Sequence, residues 1–116
     1  MYIEGEGKQA GLENAEAQMR KGVLELAIML VIDKRATYVG EILERLLRAR
    51  LTVVEGTVYP LLSRLKNAGL LGYDWRESRS GPPRKYYFLT SKGRQFLAAY
   101  DSQWRLLVKA IDNLRK

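Results

Sequence analysis

Between Leu70 and Thr90 the chain changes its hydrophobic period, and no other feature narrows its fold so far. On either side of this stretch apolar residues recur at threes and fours, the spacing of helices that bury one face. Within it lie two short runs, Leu70–Glu77 and Arg84–Thr90, the second rich in aromatics. Ser78–Pro83 separates them and contains the breaker Ser80-Gly81-Pro82-Pro83. This pattern predicts an antiparallel hairpin with a rigid Gly-Pro-Pro turn, set between helices.

The helices follow from the same reading. The first is predicted over Ala15–Asp33, where Met19, Val23, Leu24, Leu26, Ala27, Ile28, Leu30, Val31 and Ile32 cover nearly the whole circumference of its second half. Before it, residues 1–14 are Gly-rich and polar and predict a mobile arm. A second helix starts near Tyr38 with Thr37 as its N-cap. The third covers Glu55–Ala68, with Val58, Leu61, Leu62 and Leu65 as its buried stripe and Pro60 in the first turn. Gly69 suits the left-handed position that ends it. The last helix follows Thr90 as N-cap and runs to about Leu114. Its Phe96, Leu97, Tyr100, Trp104, Leu107, Val108, Ile111 and Leu114 form a coiled-coil-like seam. The result is a mainly α (α+β) chain, with a winged helix-turn-helix over residues 15–90 and a dimerisation helix over 91–116.

Composition excludes several classes of function. The chain has no Cys and no His, so it lacks thiolates, the commonest general base and the commonest metal ligand. Asp101 and Asp112 are about three helical turns apart, too far to act together. Neither a Walker-type phosphate loop nor a dinucleotide fingerprint is present. No enzyme, metal site or cofactor is therefore expected. The start carries Glu4 and Glu6 and no apolar run, unlike a signal peptide, and the longest apolar stretch, Leu26–Ile32, is too short for a bilayer. A cytoplasmic location and no membrane partner are the expectation.

Charge points either to a polyanionic partner or to a solvated face that serves solubility. The net charge is +7, and it is concentrated. Residues 57–94 hold eight bases and only two acids, whereas residues 1–18 hold four acids and one base. A basic block of this kind attracts polyanions and speeds their capture. Opposite its apolar stripe the third helix presents Thr57, Tyr59, Ser63, Arg64, Lys66 and Asn67, groups that phosphates and base edges require. The hairpin adds Arg76, Arg79, Arg84 and Lys85.

Three segments carry a resemblance to a known family. They are Gly56-Thr57-Val58-Tyr59-Pro60-Leu61-Leu62-Ser63-Arg64-Leu65, then Gly69-Leu70-Leu71, then Gly81-Pro82-Pro83-Arg84-Lys85-Tyr86-Tyr87-Phe88-Leu89-Thr90. Together with Glu25-Leu26-Ala27-Ile28 and Tyr38-Val39-Gly40-Glu41-Ile42-Leu43, they resemble the PadR family of transcriptional regulators from about Ala17 to the C-terminus. The single last helix is similar to the short subgroup. Trp104 with Asp112-Asn113-Leu114 resembles the multidrug-sensing LmrR-type members. The resemblance implies a homodimer on a near-palindromic double-stranded DNA operator, usually acting as a repressor. It places DNA contacts on Tyr38, Thr57, Tyr59, Ser63, Arg64, Lys66, Gly81, Arg84 and Lys85. The sequence departs from the family at Tyr38-Val39-Gly40, where members more often place Gly directly after the Tyr.

Trp104 has two readings. Across a twofold axis two indoles would sandwich a flat aromatic or multidrug-type ligand, with Met19, Val23, Leu24, Asp101 and Leu107 as neighbours and Asp101 attracting a cation. Alternatively, Trp104 is a plain tryptophan of the dimer core, beside Tyr100, Val108 and Ile111. Two functions without DNA also fit a winged helix, a protein-interaction module and a small-molecule-sequestering protein. The basic hairpin discriminates against both.

Overall fold

The computed structural model describes the backbone of residues 6–116 and the side chains from residue 11 onward. In chain order its elements are α1 (Glu6–Lys34), α2 (Val39–Arg48), α3 (Glu55–Asn67), β1 (Leu71–Ser78), β2 (Gly81–Leu89) and α4 (Ser91–Leu114). The core lies where α1, α2, α3 and the base of the hairpin meet. Ile28, Met29 and Ile32 of α1, Ile42 and Leu46 of α2, and Val58 and Leu62 of α3 are almost wholly shielded from water. Leu70, Leu71, Tyr87 and Leu89 close the core below the hairpin, and Leu97 ties α4 to it. Each such side chain contributes about 2 kcal/mol of hydrophobic free energy.

Several expectations need correction. The first helix begins at Glu6, not Ala15, so residues 6–14 of the expected arm are helical and only residues 1–5 lie outside the described residues. Leu12, Ala15, Glu16, Ala17, Gln18 and Met19 are good helix formers, and an Arg20–Glu16 ion pair at 2.8 Å adds support. These gains outweigh Gly11. Leu30 stands exposed, so α1 is not apolar-buried all round.

Thr37 does not cap α2. That position is taken by Tyr38, which makes no side-chain cap bond. Thr37 instead exchanges two backbone hydrogen bonds with Tyr87, each 2.9 Å, and donates its hydroxyl to the Arg35 carbonyl at 2.6 Å. It is fully buried and acts as a one-residue third strand beside β2.

The hairpin turn is also shorter than expected. Ser78 pairs with Gly81, so only Arg79 and Ser80 form the tip and Gly81-Pro82-Pro83 belongs to β2. The register jumps from Arg76↔Arg84 to Ser78↔Gly81. That irregularity places both prolines where no ladder pairing is required of them.

Gly69 takes φ +79, the left-handed conformation expected after α3. Thr90 then joins three elements. Its hydroxyl donates to the Gly69 carbonyl at 2.7 Å and accepts from the Gly93 amide at 3.0 Å, capping α4. Lys92 and Arg94 serve the same joint, donating to the carbonyls of Ala68 and Leu89. Gly93 packs on the chain so closely that a Cβ there would lie 2.0 Å from the Leu70 carbonyl oxygen. Beyond Asp101 every α4 residue is exposed, and the molecule measures 53 × 31 × 23 Å.

Candidate nucleic-acid interface

The hairpin carries a cation–aromatic layer on each face. Side chains alternate along a strand, and the pairings Arg76↔Arg84 and Asp74↔Tyr86 put one set on one side. There the Arg84 guanidinium lies 4.3 Å from the Tyr38 ring centre and that of Arg76 lies 4.7 Å from Tyr86. Tyr38 and Tyr86 are themselves in contact, with centroids 5.4 Å apart. This layer fastens the wing to the start of α2.

The opposite face holds Tyr73, Trp75, Lys85 and Tyr87. The Lys85 ammonium sits 4.5 Å from the centre of Tyr73 and 5.5 Å from that of Trp75. Lys66 of α3 reaches the same Tyr73 ring at 5.3 Å. Two cations from different elements therefore share one ring, which concentrates positive charge where α3 meets the wing. Of the adjacent tyrosines of β2, Tyr87 is buried and Tyr86 is half-buried on the Arg84 side. Burial raises the Tyr87 pKa above the ordinary tyrosine value, and neighbouring Tyr59 and Tyr73 add to the shift.

A groove of about 460 Å³ runs between these elements. Tyr38, Val39 and Gly40 at the start of α2, Glu55 and Tyr59 of α3, and Trp75, Pro83, Arg84 and Lys85 of the wing line it. Neither α2 nor α3 has a side-chain N-cap; of their first-turn amides, those of Glu41 and Thr57 donate to the Tyr38 and Val54 carbonyls. Thr57, Tyr59, Ser63, Lys66 and Gly81 are all exposed. Gly40 has a local reason: a Cβ there would come within 2.8 Å of the Tyr38 ring. The order Val39-Gly40 thus gives Tyr38 room to fold back toward Arg84.

Arg64 stands apart. It forms an ion pair with Glu25 of α1 rather than joining the wing-side cluster. Sequence reasoning did not single out Trp75, Tyr73, Glu55 or Glu25. For Trp75 the signal was the hairpin register, which sets it opposite Lys85.

A second concavity, about 780 Å³, lies between α1 and α4. Met19, Val23, Tyr100, Trp104, Leu107, Val108 and Ile111, all named above as candidates for a ligand or dimer surface, line it. Leu24 does not; it is buried in the core. Asp101 is likewise absent from the lining and pairs with Arg105 at 3.2 Å. The acids along this groove are Glu16 and Asp112. Trp104, Leu107, Val108 and Ile111 are all substantially exposed in the single chain. No helix among the described residues is long and apolar enough to cross a membrane.

The family model described as the transcriptional regulator PadR-like family matches residues 28–99. Among solved structures, a PadR-like transcription factor from Bacteroides fragilis is 51% identical, with a TM-score of 0.73 over 87% of this chain and 98% of that one. A PadR-like transcriptional regulator from Bacillus cereus is 35% identical, with a TM-score of 0.77 over 85% and 97% of the two chains. A PadR family regulator from Eggerthella lenta is 28% identical, with a TM-score of 0.81 over 94% and 96%. No curated protein matches the chain significantly. The matched stretch runs from the last two turns of α1 into the first turns of α4 and takes in both layers of the wing, so the chain belongs to the transcriptional regulator PadR-like family: it is a DNA-binding regulator of transcription and not an enzyme.

Proposed function

We propose that the chain is a homodimeric repressor that grips a near-palindromic duplex with two wings and two α3 helices, and that a small hydrophobic or aromatic ligand relieves repression. The carrying observation is that one groove gathers Tyr38, Tyr59, Arg84 and Lys85 beside two helix starts without side-chain caps. Cations gathered beside helix N-termini suit phosphates, and the exposed side of α3 fits a major groove. The contacts are Tyr38, Thr57, Tyr59, Ser63, Lys66, Gly81, Arg84 and Lys85. Exposed apolar side chains along α4, from Phe96 to Leu114, support dimerisation through that helix. A twofold pair would set the recognition helices about 34 Å apart, one helical turn of DNA. The α1–α4 groove, with Trp104 in its wall, supports the ligand reading.

The test is selection of tight-binding duplexes from a random-sequence pool, followed by a salt titration of the selected duplex. The expected result is a steep linear fall of log affinity with log salt. Duplex binding that is absent at low salt, or insensitive to salt, overturns the reading.

A further inference from the structure

The two bases of α3 are used differently. Lys66 lies over the Tyr73 ring on the wing side. Arg64, two positions earlier and so about 200° around the helix, points to the other flank. There its guanidinium pairs with Glu25, thirty-nine residues away on α1. The Glu25 side chain is only 21% exposed, and its chain neighbours Leu24 and Leu26 belong to the core. The Arg64 charge is therefore already met within the protein, by a carboxylate that burial keeps in place.

This segment of α1 also faces α4. One turn before Glu25, the Gly22 carbonyl accepts the Tyr100 hydroxyl at 3.1 Å. Burial, then the Glu25 carboxylate, hold the Tyr100 proton more tightly than usual, while Arg64 opposes them. Tyr100, Glu25 and Arg64 thus sense one another's charge across three helices.

We propose that Glu25 is a positioning residue for DNA recognition: through Arg64 it fixes the angle of α3 against the α1–α4 pair. Arg64 on this view is a strut and not a counterion-releasing phosphate contact. The inference rests on the DNA-binding reading above and adds to it a role that the recognition helix alone does not reveal.

The experiment compares the parent chain with Glu25→Gln, Arg64→Gln and the double variant, all on the duplex selected by the parent. Both side chains reach solvent, so these neutral replacements leave the core untouched. Each single variant is expected to bind about fivefold more weakly, the scale of a partly exposed ion pair. The double variant binds no more weakly than either single one, because one interaction is lost in all three. The salt slope stays at the parent value in every case. Three results overturn the proposal: Arg64→Gln lowers the slope by about one, as loss of a phosphate contact does; Glu25→Gln binds as tightly as the parent or more tightly; or the double variant's loss is the sum of the two. A parent chain without salt-dependent duplex binding fails the DNA reading instead, whereas a binding parent with Glu25→Gln unchanged fails only the strut.

Discussion

The Arg84 guanidinium lies 4.3 Å from the centre of the Tyr38 ring, joining the wing to the first turn of α2. A cation held over an aromatic face keeps its charge while losing rotamer freedom, so less entropy is lost when a phosphate arrives. Arg84→Ala is expected to weaken duplex binding and to reduce the salt slope by about one. Tyr38→Ala is expected to weaken binding with the slope unchanged, because the cation stays but is no longer held. Fluorescence anisotropy at several salt concentrations separates the two. An unaltered slope for Arg84→Ala would remove it from the phosphate contacts.

Gly93 is expected to tolerate no side chain. The Leu70 carbonyl oxygen occupies the place a Cβ would take, and it is backbone that cannot swing aside. Gly93→Ala should destabilise the fold by roughly 3 kcal/mol, at the high end of overpacking costs. Thermal unfolding monitored by circular dichroism checks this. A melting temperature within a degree or two of the parent would mean that α4 can lift from Leu70 without loss.

Much of this arrangement could be read in the sequence, and the misses share a cause. The apolar stripe of Val58, Leu62 and Leu65, the stop at Gly69 and the Thr90 cap are local patterns, and the structure keeps all three. The helical period of α4 was legible for the same reason. Thr37 was misassigned because a single-residue bridge to Tyr87 leaves no periodicity, and a Thr before a helix has the chemistry of a cap. Gly81-Pro82-Pro83 looked like a turn because its breaker residues outweighed the irregular register that lets them sit in a strand. The Arg64–Glu25 pair joins residues on separate helices, and only tertiary packing brings them together.

Trp104→Ala tests the α4 surface. The indole is 41% exposed in the single chain and stands in the wall of the large groove with Leu107 and Val108. If it packs against a second copy, its loss should raise the dimer dissociation constant by at least tenfold, in line with removing a buried aromatic anchor. Sedimentation velocity over a concentration series is the measurement. A dimer of unchanged strength would leave the indole free for small molecules.

Alkaline conditions should weaken the fold through Tyr100. Its pKa is raised by burial and by Glu25, with Arg64 opposing. The folded state therefore holds this proton when the unfolded chain has released it. The stabilisation is complete below the unfolded tyrosine value, about 10, and is lost as pH rises through the higher folded value. Tyr87 is raised in the same sense. Tyr100→Phe removes one of these protons and also the bond to Gly22, so it should be less stable near neutrality yet lose less on going to higher pH. Denaturant midpoints at neutral and alkaline pH decide this, and parallel losses for both chains would contradict it.

The reciprocal backbone bonds between Thr37 and Tyr87 have a mechanical result. They leave the hairpin no hinge of its own, since its second strand is stitched to the entry of α2. In the proposed dimer, a signal that altered operator affinity would then have to act on the separation of the two heads carried on the α4 stems. Distances between spin labels on paired wings would change with the signal, whereas those between a wing and α2 of the same chain would not.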